Sequence, residues 1–120
     1  MFDHIGLAVK DVEASVRFYG AALAPLGYEL CSRDGKSAGF GPKGAPALWL
    51  YGSSGPQGAG THLAFRSGDR SAVDWFHKAG LEAGGRNHGA PGLRSDYGPT
   101  YYAAFLLDPD GNNVEALCMR

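Results

Sequence analysis

The two halves of the chain carry the same sequence pattern at a constant offset. In the first half, residues 2–9 alternate between apolar and small or polar side chains, as a β-strand does, and residues 61–65 repeat this alternation in the second half. Asp11 and Asp69 follow these two strands at the position of a helix N-cap. The repeat therefore predicts a chain built from two copies of one small module.

Each copy contains a strand, a helix and further short strands. The spacing of apolar residues predicts helices over residues 11–24 and 70–83. The remaining predicted strands cover residues 28–32, 38–40, 47–51, 100–107 and 113–118. Clusters of glycine and proline predict loops at residues 35–46, 52–60 and 84–99, of which the last is the longest.

A strand, a helix and about three strands, occurring twice, make a duplicated βαβββ unit. One such unit cannot cover both faces of its small sheet, so the two units pack together, with the helices outside and a concave face between the sheets. We expect an α+β fold in which residues 1–120 form a single domain. The first module covers about residues 1–55 and the second about residues 60–120.

Charge and composition exclude several classes of partner. The formal net charge is −1, and the basic residues are scattered among the acidic ones, so nothing favours nucleic acid or an anionic membrane surface. No apolar run approaches the ~20 residues that span a bilayer, and no secretory signal precedes the first strand. Cys31 and Cys118 lack a metal-binding spacing. Two isolated thiols are typical of a protein in a reducing compartment. We expect a cytoplasmic protein.

Two histidines and one glutamate are predicted to lie on the concave face. Alternate side chains of a strand share a face, and the apolar residues of the two repeated strands pack under the helices. His4 and His62, at equivalent positions in the two copies, therefore point the other way, and Glu115 does the same in the last strand. Each residue alone is more simply a structural or exposed one. Together, two imidazoles and a carboxylate suit a divalent transition metal with open positions for substrate or water.

Two stretches of sequence resemble a known family. The segment DHIGLAVKD at residues 3–11, followed by Phe18-Tyr19, resembles the opening of vicinal oxygen chelate proteins, the glyoxalase, bleomycin-resistance and extradiol-dioxygenase superfamily. The segment DPDGNNVE at residues 108–115 resembles their closing motif. The resemblance implies a U-shaped mixed sheet around one divalent metal ion, a small-molecule substrate and a homodimer. It also implies that the metal ligands are His4, His62 and Glu115, whereas the ion itself, Zn, Mn, Fe, Ni or Co, is left open.

The chain departs from the named activities of this family. Glyoxalase I and methylmalonyl-CoA epimerase have a fourth ligand, a glutamate, in the fourth strand, where this chain has Trp49. Extradiol dioxygenases and fosfomycin-resistance thiol transferases have a tyrosine where this chain has Phe105. Bleomycin-binding proteins lack the ligand set altogether. The resemblance therefore implies no particular one of these reactions.

Several further side chains are candidates for the wall of the site. The seventh strand presents either Tyr101, Ala103 and Phe105 or Tyr102, Ala104 and Leu106 on the concave face, and the family resemblance favours the first set. With the fourth strand and the loop before the seventh, the candidate substrate-binding residues are Trp49, Tyr51, Tyr101, Phe105 and Arg94. The aromatic members are equally consistent with core packing. An arginine can bind a carboxylate or a phosphate. No general base stands out, and Tyr101, Tyr51 or a metal-bound hydroxide are the candidates.

The sequence therefore favours a glyoxalase-like metalloenzyme that binds two vicinal oxygens of a small molecule. The predicted reaction class is a metal-dependent lyase, isomerase or transferase. The alternative is a non-catalytic protein of the same fold that binds an antibiotic-like or aromatic small molecule. Survival of ligand binding after complete removal of metal would favour that alternative.

Overall fold

The computed structural model of the protein describes residues 1–55 and 61–120 and contains two βαβββ modules. Part of the predicted loop at residues 52–60 and the predicted start of the second module at residue 60 lie outside the described residues. The elements of the first module are β1 (Ile5–Val9), α1 (Val12–Leu23), a 3-10 turn (Ala24–Leu26), β2 (Glu29–Arg33), β3 (Ser37–Gly41) and β4 (Leu48–Gly52). Those of the second are β5 (His62–Arg66), α2 (Arg70–Glu82), β6 (Arg86–Leu93), β7 (Tyr102–Leu107) and β8 (Asn113–Cys118).

The modules form two four-stranded mixed sheets with the same topology. The strand orders are β1-β4-β3-β2 and β5-β8-β7-β6. The first strand of each module pairs in parallel with the last, and the other pairs are antiparallel. The α+β fold and the repeat are therefore confirmed. Among the described residues, β1 and β5 each pair with only one strand and lie at the edge of their sheets.

Both helices begin at the predicted caps. The side chains of Asp11 and Asp69 accept hydrogen bonds from the backbone N–H groups of Ala14 and Ala72, which would otherwise lack partners in the first turn. The observed helices end one residue before the predicted limits. No helix in the described part of the chain is long and apolar enough to cross a membrane.

The predicted long loop at residues 84–99 is wrong over half of its length. The structure has strand β6 at Arg86–Leu93, paired with β7 through two shifts of register. This strand lies at the edge of the sheet, where proline and bulges are tolerated because one side of the strand needs no partner. Because Pro91 and the surrounding glycines are typical of a loop, the sequence of this strand does not indicate a strand.

Helices α1 and α2 pack against each other between the modules. The apolar residues of both modules form one buried cluster. Gly80 of α2 lies at the contact, where a Cβ atom would come within 2.3 Å of Leu106, 3.3 Å of Phe18 and 3.4 Å of Ala22. A glycine is therefore needed for this close approach of the helices.

The turn between β7 and β8 is also tied to the first module. The buried carboxylate of Asp108 accepts a hydrogen bond from the Tyr19 hydroxyl at 2.6 Å and from the backbone N–H of Asn112 at 2.8 Å. The backbone N–H of Lys10 donates to Asp110 at 3.1 Å. Burial, followed by the nearby Asp108 charge, raises the pKa of Tyr19 well above its usual range. This turn fixes strand β8 relative to helix α1.

Candidate metal and substrate site

His62 and Glu115 are brought together on the face of the second sheet that points away from the buried core. His62 opens β5 and Glu115 lies in the middle of the neighbouring strand β8, where it pairs with Ala64. The Nε2 atom of His62 is 3.1 Å from Oε1 of Glu115. The glutamate side chain is 5% exposed and the histidine side chain 47% exposed. The pair therefore combines a buried carboxylate with an imidazole that is open to solvent.

The hydrogen bonds of His62 determine which of its nitrogens faces the glutamate. Nδ1 lies 3.1 Å from the carbonyl oxygen of Asn113, which can only accept, so Nδ1 donates its proton there. In the neutral ring, Nε2 then presents a lone pair to a carboxylate oxygen, and the two acceptors repel each other. Either a proton on Nε2 or a cation bound by both atoms removes this repulsion. Fixing one ring nitrogen on a backbone carbonyl is typical of histidine ligands to metals.

Tyr101 holds the other oxygen of the glutamate. Its hydroxyl donates to Oε2 of Glu115 at 2.5 Å. The residue directly precedes β7, and its side chain lines the same groove as Glu115 and Phe105. Burial, and then the hydrogen bond and charge of Glu115, raise the pKa of Tyr101 to about 12. Tyr101 therefore stays protonated near neutral pH and acts as a hydrogen-bond donor.

The third predicted ligand is not close to this pair within one chain. His4 lies just before β1, with Nδ1 2.6 Å from Asp3 and its side chain 60% exposed. His4 and His62 both line an apolar cavity of about 490 Å³ between the modules, but Glu115 does not. Within residues 1–55 and 61–120, no group of three or more histidine, cysteine, aspartate or glutamate side chains is arranged to hold a metal.

The first sheet has a tryptophan where the second has its glutamate. Gly6 pairs with Trp49 as Ala64 pairs with Glu115, so Trp49 and Glu115 occupy equivalent positions in the two modules. The half-buried Trp49 ring covers Gly39, and the exposed ring of Tyr51 lies beside Gly6. The corresponding face of the first sheet is therefore aromatic and offers no second carboxylate at this position.

Phe105 and Arg94 lie beyond Glu115 on the second sheet. Phe105 pairs with Glu115 across β7 and β8, so Ala103 and Phe105 share the face of the sheet that carries Glu115. Its ring is 6.4 Å from the His62 ring and inclined by 25° to it. On the β6 side, the Cζ atom of Arg94 is 5.4 Å from the centre of the Phe105 ring. The ring of Tyr97, which is exposed, packs edge-on against Tyr101 at 5.3 Å.

The donor atoms present fit a divalent transition ion. Two ligand atoms bound to one such ion at about 2.1 Å and at right angles lie roughly 3 Å apart, close to the separation of His62 Nε2 and Glu115 Oε1. Imidazole nitrogen with carboxylate oxygen suits Zn, Mn, Fe, Ni or Co.

Sequence reasoning missed the Asn113 carbonyl that orients His62. A backbone contact of this kind leaves no signal in the side-chain pattern.

Known structures share this fold over the whole chain. The crystal structure of a glyoxalase/bleomycin resistance protein from Albidiferax ferrireducens T118 is 31% identical, with a TM-score of 0.85 over 100% of this chain and 99% of that one. A family enzyme from Burkholderia phytofirmans PsJN, 19% identical, gives a TM-score of 0.76 over 98% of both chains and is similar in fold. A glyoxalase-related enzyme from Fulvimarina pelagi, 19% identical, gives 0.74 over 95% of this chain and 84% of that one.

No protein with a curated function matches this chain. Residues 1–116, nearly the entire sequence, match the Glyoxalase/Bleomycin resistance protein/Dioxygenase superfamily. The duplicated modules, their strand order and the position of Glu115 in the last strand agree with that assignment. The chain is a member of the Glyoxalase/Bleomycin resistance protein/Dioxygenase superfamily.

Proposed function

We propose that the protein is a metal-dependent enzyme that acts on a small molecule through two vicinal oxygens. The observation that carries the proposal is the arrangement of His62, whose Nδ1 is bonded to a carbonyl while Nε2 faces a buried glutamate. A buried carboxylate beside a lone pair is costly without a neighbouring positive charge. A divalent ion would supply that charge. The names of two solved relatives, a family enzyme and a glyoxalase-related enzyme, support a catalytic role.

The third ligand is His4, contributed by a second copy of the chain. Strands β1 and β5 are edge strands among the described residues, and exposed edges tend to be covered by another strand. The concave-facing residues of β5, His62, Ala64 and Arg66, are exposed in the single chain. Pairing the first module of one copy with the second module of another would cover both edges. The proposed assembly is a homodimer with two equivalent sites.

The residues of the chain have distinct roles in this site. His62, Glu115 and His4 would hold the ion, which supplies Lewis acidity toward the substrate oxygens. Tyr101 holds Oε2 of Glu115 and leaves Oε1 directed at His62. Phe105 forms an apolar wall beside the imidazole. Because Tyr101 is protonated near neutral pH, it is better suited to orienting Glu115 than to accepting a proton from substrate.

Calorimetric titration with Mn²⁺, Zn²⁺ and Co²⁺ tests the metal site. Protein purified without an affinity tag should bind one ion per chain, and His62→Ala, Glu115→Gln and His4→Ala should each bind much more weakly. His77→Ala is the matched control, because His77 lies on α2 and contacts Asn87 instead. Affinity should fall in acid, because ligation requires neutral imidazoles and an ionised carboxylate. Equal affinities in all variants, or no binding by the wild type, would overturn the proposal.

A second candidate is a non-catalytic binding protein. The apolar cavity between the modules, lined by Leu23, Phe40, Leu48 and Phe65 among others, favours it because it would accept a small apolar molecule without a metal. The two candidates differ in their response to a chelator. Loss of small-molecule binding on metal removal supports the enzyme, whereas full retention supports the binding protein.

A further inference from the structure

The guanidinium group of Arg94 is held in a fixed position beside the candidate site. Arg94 follows strand β6, and its backbone N–H donates to the carbonyl of Tyr101 at 2.8 Å. Its Nη2 donates to the carbonyl of Ala90 at 2.6 Å, and its Cζ lies over the ring of Phe105. A backbone anchor, a hydrogen bond to the head group and an aromatic face together restrict a side chain that is otherwise mobile.

Two glycines of β6 make room for this guanidinium. A Cβ atom on Gly89 would lie 3.2 Å from Nη2 of Arg94 and 2.9 Å from the Phe105 ring. A Cβ atom on Gly92 would lie 3.2 Å from Nη1. Gly89 also has φ of +157°, which side chains rarely adopt. The irregular edge strand therefore forms a recess into which the head group of Arg94 fits.

No acid in the described part of the chain neutralises Arg94. The ion pairs found there join Arg33 to Glu13, His4 to Asp3 and His62 to Glu115. The only hydrogen bond from the guanidinium to described residues goes to the neutral carbonyl of Ala90. A half-buried cation with free N–H groups is suited to a ligand that brings its own negative charge.

Arg94 and His62 both lie close to the ring of Phe105. The Phe105 ring is 6.4 Å from the His62 ring and 5.4 Å from the Cζ atom of Arg94. An elongated molecule lying beside Phe105 could therefore have one end near His62 and Glu115 and the other near the guanidinium. The open groove here is lined by His62, Phe105 and Glu115 and also by Asp96, whereas Arg94 borders it through its contact with Phe105.

We propose that Arg94 binds a carboxylate of the substrate, so that the substrate class is a short acid with two vicinal oxygens at its opposite end. The planar guanidinium can form two parallel hydrogen bonds to a carboxylate. The proposal rests on the proposed function, because the vicinal oxygens are placed by the metal site. Arg94 acts as a specificity residue and takes no part in metal binding.

Two hydroxamates of matched length test the proposal. Butyrohydroxamate and succinic acid monohydroxamate both chelate a divalent ion, and only the second has a distal carboxylate. Calorimetry on Zn²⁺-loaded wild-type protein should give roughly 10–100-fold tighter binding of the acid, as expected for a charge-assisted hydrogen bond. Arg94→Gln should lose this preference and bind butyrohydroxamate as the wild type does, which also shows that the variant is folded. Arg86→Gln, which removes an exposed arginine at the start of β6, should keep the preference.

The outcomes separate the two proposals. Equal wild-type affinities for the two hydroxamates, or a preference that survives in Arg94→Gln, would overturn the role of Arg94 and leave the metal site standing. If butyrohydroxamate binds no better to the Zn²⁺-loaded protein than to chelator-treated protein, the proposed metal function fails, and the proposal for Arg94 fails with it.

Discussion

His62 and Glu115 meet at 3.1 Å although 53 positions separate them in the sequence. The contact arises because β5 and β8 are parallel neighbours, with His62 opposite Asn113 and Ala64 opposite Glu115. Glu115 lies two register positions beyond the partner of His62, and Nδ1 of the ring is fixed on the Asn113 carbonyl. The strand pairing thus sets both the distance between the two side chains and the orientation of the imidazole ring.

Mixing two inactive variants tests whether the site is shared between copies. His4→Ala and His62→Ala should each lose metal binding in isolation. If ligands come from two chains, mixed dimers formed by co-expression contain one intact site. Random pairing of equal amounts should then restore binding to about a quarter of the sites, because half of the dimers are mixed and each has one of its two sites intact.

Calorimetry on the co-expressed mixture gives the measurement. Two copies of one variant, co-expressed from separate genes, form the control and should bind no metal. A mixture that also binds none would mean that each site is built within one chain, contrary to the proposed assembly.

Removing the Tyr101 hydroxyl should weaken metal binding without unfolding the protein. In Tyr101→Phe, Oε2 of Glu115 loses its 2.5 Å partner, and the carboxylate can rotate away from His62. Loss of an outer partner of a metal ligand typically lowers affinity by about 10–100-fold. Calorimetric titration with Zn²⁺ measures the change. Tyr97→Phe, which alters an exposed neighbouring ring, is the matched control, and equal affinities in the two variants would rule out this role.

The departures at Trp49 and Phe105 predict which reactions the protein does not carry out. Trp49 occupies the position equivalent to Glu115 and has no atom that binds a metal ion or accepts a proton. Phe105, beside Glu115, lacks the hydroxyl found in dioxygenases. We expect no turnover of the methylglyoxal–glutathione adduct and no cleavage of catechol with Fe²⁺. Assays of the metal-loaded protein with both substrates check this prediction. Robust turnover of either substrate would contradict it.

Strand alternation predicted the face of the site correctly but not its assembly. The alternation placed His62 and Glu115 on one face because the period of a strand is two, and the register confirms it. It also placed His4 there, yet the relation of β1 to β5 depends on packing between modules, which the local pattern does not contain. Strand β6 was missed because an edge strand with Pro91 and two bulges has no alternation to detect.

Tyr19→Phe should destabilise the protein at neutral pH. It should also make the unfolding free energy depend less on pH under alkaline conditions. The change removes a 2.6 Å bond to the buried Asp108, which costs about 1–3 kcal/mol. Burial and then Asp108 raise the pKa of Tyr19. The wild type therefore keeps the full stability contributed by Tyr19 below pH of about 10, the value for an unfolded tyrosine, and loses it as pH rises further.

Urea denaturation from pH 7 to 11 measures both effects. The difference in unfolding free energy between the wild type and Tyr19→Phe should shrink above pH of about 10. Tyr51→Phe, which alters an exposed tyrosine, should behave as the wild type does. A constant difference across this range would mean that Tyr19 ionises equally in the folded and unfolded states.

Two helical glycines should respond in opposite ways to alanine. Alanine is favoured over glycine inside a helix by about 1 kcal/mol. At Gly80, however, the added Cβ atom would lie 2.3 Å from buried Leu106, with Phe18 and Ala22 closing the space, and overpacking costs about 1–3 kcal/mol. At Gly20, the nearest atom would be 3.9 Å away, in Phe40. Thermal unfolding should therefore show a lower Tm for Gly80→Ala and a higher one for Gly20→Ala. The same sign for both would refute the steric argument.

The turn at residues 108–112 gives the clearest family resemblance, yet its contacts are made to the opposite module. Asp108 holds Tyr19 and the backbone of the turn, and Asp110 holds the backbone N–H of Lys10. Of the residues of the motif, Asn113, through its carbonyl, and Glu115 reach the candidate site. Sequence similarity in this turn is therefore evidence of a common fold. Two homologues can have identical sequences in this turn and still catalyse unrelated reactions.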